Sequence, residues 1–164
     1  MQQNIYNHEL QDICEFPRGN LRYGAYDYDV KNDVITIGVG GMIEIKTVEQ
    51  MKKGSYNYMV IVCSDKILTK YVYHYLKTHA QKIMKNYTIN QLIIDKRALK
   101  SLMIPVPSIE CQMAIVERIE KEENIIHQYN MMINKSRENI NSAINNITQM
   151  CTFELNKNTI LNRK

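Results

Sequence analysis

The stretch LMIPVPSIECQMAIVERIEKEENIIHQYNMMINKSRENINSAINNITQM, residues 102–150, holds two patterns that meet at one point. Before Ser108, Pro105 and Pro107 bar a helix and push the residues ahead of them toward extended geometry, so 102–108 reads as a strand and then a turn. From Ser108 to the end of the chain there is neither Pro nor Gly. Ser108 is a helix N-cap, but Cys111 stands where the reciprocal Glu or Gln of a capping box would be. Ile119, Ile126, Ile133, Ile140 and Ile147 then recur every seven residues, the spacing of a coiled-coil seam. The companion positions (Ile115, Glu122, Tyr129, Ser136, Ala143, Met150) are weaker. A helix over 109–151 would be about 60 Å long. A domain of about 100 residues has a radius of gyration near 13 Å and cannot cover it. The helix is therefore expected to project and to bury its five isoleucines against another helix, with 152–164 as a frayed tail.

Upstream, the fold class is α+β, with a mixed sheet and helices over 1–108. Residues 5–16 form a short lead-in ending at Pro17. PRGNLRYGAYDYDV follows as a loop with turn formers at Pro17, Gly19, Asn20 and Gly24. DVITIGVGGMIEIKTV reads as two β-branched strands around a glycine bend, and YNYMVIVCS (56–64) as a strand buried on both faces. Residues 66–84 are helical, with Ile67, Tyr71, Tyr75 and Leu76 on one stripe. A short strand at 92–94 precedes the proline segment.

Composition narrows the function. The chain has 164 residues, 45% hydrophobic and 23% charged, which excludes a disordered tail. Glu9, Asp12 and Glu15 interrupt any secretory core, and no stretch is long and apolar enough to span a membrane. Cys14, Cys63, Cys111 and Cys151 are far apart, which excludes a zinc knuckle and reads as reduced thiols in the cytoplasm. The net charge of +4 is unevenly spread. Lys66, Lys70, Lys77, Lys82, Lys85, Lys96, Arg97 and Lys100 face only Asp65 and Asp95 between residues 65 and 100, a net +6. Such a segment attracts a polyanion.

Catalytic constellations are sparse. Gly38-Val39-Gly40-Gly41 runs into strand rather than a helix N-terminus, so it is a bend and not a phosphate loop. His74 and His79, five apart, do not share a helical face for a metal and belong on a solvated or half-buried face. Asp33 with Glu44-Ile45-Lys46 resembles the carboxylate and lysine set of Mg²⁺-dependent nucleases, the one enzymatic alternative. Methyltransferase motifs are absent. Of eleven tyrosines, Tyr23, Tyr26 and Tyr28 lie beside Arg18, Asn20 and Arg22, a mixture suited to phosphates and base edges.

Taken in order, Tyr71–Leu76, Asn86-Tyr87-Thr88 and Leu99–Val116 resemble the DNA specificity subunit of type I restriction–modification systems. Ile104, Pro105, Pro107, Gln112, Ile115 and Val116 match that family's junction between target recognition domain and long helix, and Ile35–Gly41 looks like its strand and glycine loop. The resemblance implies a non-catalytic reader of double-stranded DNA that docks methyltransferase subunits, and restriction subunits where present. It implies no cofactor and no metal. A full subunit has two recognition domains and two helices, whereas this chain has one set. An antiparallel homodimer would restore both and predict a palindromic bipartite site. The DNA contacts expected are Arg18, Asn20, Arg22, Tyr23, Tyr26, Lys52, Lys53, Lys70, Lys85, Asn86 and Tyr87. A coiled-coil assembly protein without DNA binding is the remaining alternative.

Overall fold

The β-branched runs around the central glycines form the hairpin expected of them. In the computed structural model, which describes residues 6–17, 33–38, 41–47, 50, 58–86, 88–89 and 93–161, β3 (Val34–Gly38) pairs antiparallel with β4 (Ile43–Lys46), bringing Ile35 opposite Ile45 and Ile37 opposite Ile43. Gly38 N–H donates to Met42 O at 2.8 Å to close the bend. Gly41 has φ +76°, the left-handed region, and the Met84 side chain occupies the space a Cβ would need. This is backbone freedom at a turn.

Two short elements, β1 (Tyr6–Glu9) and α1 (Leu10–Ile13), lead into β2 (Cys14–Glu15). β2 and β5 (Tyr58–Cys63) join the hairpin in an antiparallel sheet of order β2-β5-β3-β4. Side chains alternate across it. Ile35, Ile37 and Ile61 enter the main core, while Val34, Thr36 and Val60, on the other face, are also buried. The apolar run of β5 is thus covered on both sides, as its composition implied.

The helical segment after β5 is broken. It comprises α2 (Thr69–Thr78) and α3 (Ala80–Asn86), not one helix over 66–84. At His79 the backbone leaves helical geometry (φ −97°, ψ 10°). Both its N–H and its Nδ1 approach Tyr75 O, at 3.1 and 2.8 Å, and its ring stacks on Tyr75. A side chain competing for a helical carbonyl favours such a break. His74, expected on a solvated or half-buried face, is instead buried with Tyr71, Val72 and Leu76. After the ribbon of β6 (Thr88–Ile89) and β7 (Ile93–Ile94), a helix the sequence reading did not contain, α4 (Lys96–Lys100), is capped by Asp95, whose Oδ1 accepts from Arg97 N at 2.8 Å.

The proline segment forms β8 (Met103–Val106), which pairs antiparallel with β1. Tyr71 Oη donates to Pro105 O at 2.7 Å, and Tyr75 Oη to Met103 O at 3.3 Å. Burial pushes the Tyr71 hydroxyl above its ordinary pKa, and Tyr75 and Cys111 add to the shift. It stays protonated as a donor.

Helix α5 spans Ile109–Leu161, so residues 152–161, read as a frayed tail, are helical. Ser108 caps it: Oγ accepts from Cys111 N at 3.4 Å. Hydrogen bonds from its own backbone N–H and from Ser108 hold the Glu110 carboxyl below its usual range. Gln112 is fully buried. Its Oε1 accepts from Leu68 N and its Nε2 donates to Pro107 O, both at 2.9 Å. One side chain therefore ties the first turn of α5 to the proline turn behind it and to the backbone that caps α2. Val116, one turn on, is also buried.

The chain divides into two units, Met1–Arg118 and Ile119–Lys164. In the second, Ile119 is half-buried, and Ile126, Ile133, Ile140 and Ile147 are 48–61% exposed. No described helix is long and apolar enough to cross a membrane.

Candidate nucleic-acid interface

The described residues of the cationic segment 65–100 form α2, α3, the β6–β7 ribbon and α4. Its charges divide by use. Lys96 Nζ donates to Phe16 O at 3.1 Å and to Pro17 O at 3.2 Å. Lys96 and Lys100 both lie over the Phe16 ring, at 5.9 and 5.5 Å from its centroid. These two cations fasten the end of the N-terminal segment to α4. Lys77 lies over the Tyr73 ring at 5.3 Å. Lys66, Lys70, Lys82, Lys85 and Arg97 present exposed side chains. Long side chains of this kind meet phosphates as flexible point charges, Arg with a planar fork.

Of the expected DNA contacts, Lys70 stands in the first turn of α2, and Lys85 and Asn86 end α3; all three are exposed. Arg18, Asn20, Arg22, Tyr23, Tyr26, Lys52, Lys53 and Tyr87 lie outside the described residues. Lys66, Lys82 and Arg97, which are not among the expected contacts, are exposed like Lys70 and Lys85. Their signal was the segment charge itself.

A second local signal lies at the end of β4. Thr47-x-x-Gln50 is a capping box: Thr47 N donates to Gln50 Oε1 at 3.0 Å, and Gln50 N to Thr47 Oγ1 at 3.3 Å. It stands just after β4, two residues before Lys52 in sequence.

Strand register weighs against the nuclease set. Val34 faces Lys46 and Thr36 faces Glu44 across β3 and β4, so Glu44 and Lys46 share a face with Val34 and Thr36. Asp33 precedes β3, and strand alternation continued through it would put it on the opposite face. Lys46 Nζ pairs with Glu44 Oε2 at 3.0 Å. The pair borders an open groove of about 540 Å³, lined also by Ile45, Gln50 and Tyr73. Among the described residues no group of three or more His, Cys, Asp or Glu could hold a metal ion.

An α+β unit with exposed cations, fused through a proline and glutamine junction to a helix with heptad isoleucines, defines a class of DNA-reading module. The sequence profile of the type I restriction modification DNA specificity domain matches residues 17–136. The chain belongs to this family, whose role is DNA target recognition as a non-catalytic specificity subunit. No curated protein matches the chain at a significant level.

Proposed function

We propose that this chain is a half-subunit. Residues 1–108 read one half of a bipartite DNA site, and α5 pairs antiparallel with α5 of a second copy to hold two such readers at a fixed spacing. Methyltransferase subunits, and restriction subunits where the system has them, dock on the paired helices in the cytoplasm and carry the chemistry. The carrying observation is the row of exposed isoleucines at 126, 133, 140 and 147. Pairing covers an apolar row that one helix leaves in water.

Charge favours the antiparallel arrangement. Residues 109–135, the first half of α5, carry Glu110, Glu117, Glu120, Glu122 and Glu123 against Arg118, Lys121 and Lys135, a net −2. Residues 136–161, the second half, carry Arg137 and Lys157 against Glu138 and Glu154, a net of zero. Antiparallel helices set the acidic half of each beside the neutral half of the other. Parallel helices set like beside like.

Two measurements test the reading. Mapping of methylated adenines in the host, with and without the gene for this chain, is expected to give a palindromic bipartite motif; a motif with two unrelated halves removes the homodimer. Binding of a duplex carrying that motif should weaken steeply with salt. Lys70→Ala and Lys85→Ala should each lower affinity for specific and random duplex alike, and flatten the log–log salt slope by about one. A chain that dimerises but gives no salt-sensitive shift of duplex is an assembly protein instead.

A further inference from the structure

The antiparallel register of β2 and β5 places Cys14 opposite Cys63. Ser64 N–H donates to Ile13 O at 3.0 Å, which makes Ile13 and Ser64 the hydrogen-bonded pair. Cys14 and Cys63 are then the non-bonded pair beside it, where facing Cα atoms approach to about 4.5 Å. That lies inside the window a disulfide can bridge. The two sulfurs are 3.5 Å apart, with the Cys14 thiol donating to Cys63 Sγ. Both are free thiols. Two cysteines 49 residues apart in sequence, read singly as unconnected reduced thiols, are thus brought into contact by the sheet.

We propose that Cys14 and Cys63 are a redox modification site, closed to an intramolecular disulfide by a hydroperoxide and reopened by a dithiol reductant.

The two thiols are differentiated for this role. Hydrogen bonds from Cys14 and from Thr69 hold Cys63 below the usual thiol range, against the effect of burial. The bond to Cys63 and burial push Cys14 well above that range. Cys63, the less buried of the two, is the attacking group. Its thiolate attacks one peroxide oxygen, the O–O bond breaks, and the departing hydroxide takes a proton to leave as water. Cys63 is now a sulfenic acid. Cys14 sulfur attacks Cys63 sulfur, the S–O bond breaks, and the thiol proton of Cys14 leaves with the hydroxide as a second water. Two thiols and one hydrogen peroxide become one disulfide and two waters.

The closed ring contains Arg18, Asn20, Arg22, Lys52 and Lys53, so the cross-link ties together both ends of the segment that holds most of the candidate DNA contacts. Closing a ring of about 50 residues removes much freedom from the unfolded chain and raises stability.

The test uses the full chain with Cys111→Ser and Cys151→Ser, which leaves only this pair. After hydrogen peroxide treatment, peptide mapping without reductant should find Cys14 and Cys63 joined within one molecule, with the loss of two hydrogens. The melting temperature should rise by about 10 °C and return with dithiothreitol. Adding Cys63→Ser should abolish both effects. Sulfinic acid on Cys63 beside a free Cys14, a link between molecules, or a cross-linked chain that melts no higher would each overturn the proposal. Because peptide mapping and melting involve no DNA, this result stands or falls apart from the reading of DNA sites.

Discussion

In urea, Gln112→Leu is expected to lose about 3 kcal/mol of unfolding free energy at an unchanged denaturant slope. Leucine is close to glutamine in size, so the change opens little space. What it removes is two hydrogen bonds in a fully buried position: Leu68 N–H loses its acceptor and Pro107 O its donor. A buried polar backbone group left unpaired costs about 1–3 kcal/mol. Two such groups outweigh what the more apolar side chain gains by burial, on the order of 1 kcal/mol. Val116→Ala on the same helix face is the comparison. It deletes two methyl groups and orphans nothing, so it should cost about 1–2 kcal/mol. If Gln112→Leu proves no worse than Val116→Ala, the glutamine is filler and not a tie.

Gln112 also marks where sequence reading stops. The pattern Pro105, Pro107, Gln112 and Val116 identified the junction. The reason for the glutamine was not visible, because Leu68 lies 44 residues away. Composition, period and punctuation carried the rest of what could be read: the β-branched residues of β3 and β4 around their glycines, the all-apolar run of β5, the proline strand β8 and the isoleucine heptads of α5. Pairings between distant segments left no local mark. β1 joins β8 with Tyr6 opposite Val106, and β2 joins β5 with Cys14 opposite Cys63, yet neither strand names its partner in sequence. Two local signals were present and unread, Asp95 ahead of α4 and the Thr47/Gln50 capping box. Of the candidate interface, net charge located the cationic segment. It did not reveal that Lys96 is committed to Phe16 and Pro17 while Lys85 is exposed. That division depends on which carbonyls the fold leaves within reach of a lysine.

Ile126→Lys combined with Ile133→Lys is expected to convert the proposed dimer to monomers. Both side chains are exposed in the single chain, 58% and 48% respectively, so the change removes no contact that folds the first unit, whose melting curve should stay within a degree or so. In a symmetric pair the two substitutions occur twice, and four isoleucines leave the seam. Burying one isoleucine contributes about 1.5–3 kcal/mol. Even half the lower sum is about 3 kcal/mol, more than a hundredfold in dissociation constant. The introduced lysines add repulsion to that loss. Sedimentation equilibrium of the full chain should therefore show dimers for the unsubstituted protein and monomers for the double variant. On duplex DNA the variant should keep affinity for a single half-site and lose the gain from engaging two, since one reader no longer holds its twin at high local concentration. Dimers that persist in the double variant would place the pairing surface elsewhere. A monomeric parent protein would remove the half-subunit pairing altogether, and the reading unit would then need a different second copy of its helix, supplied by another chain.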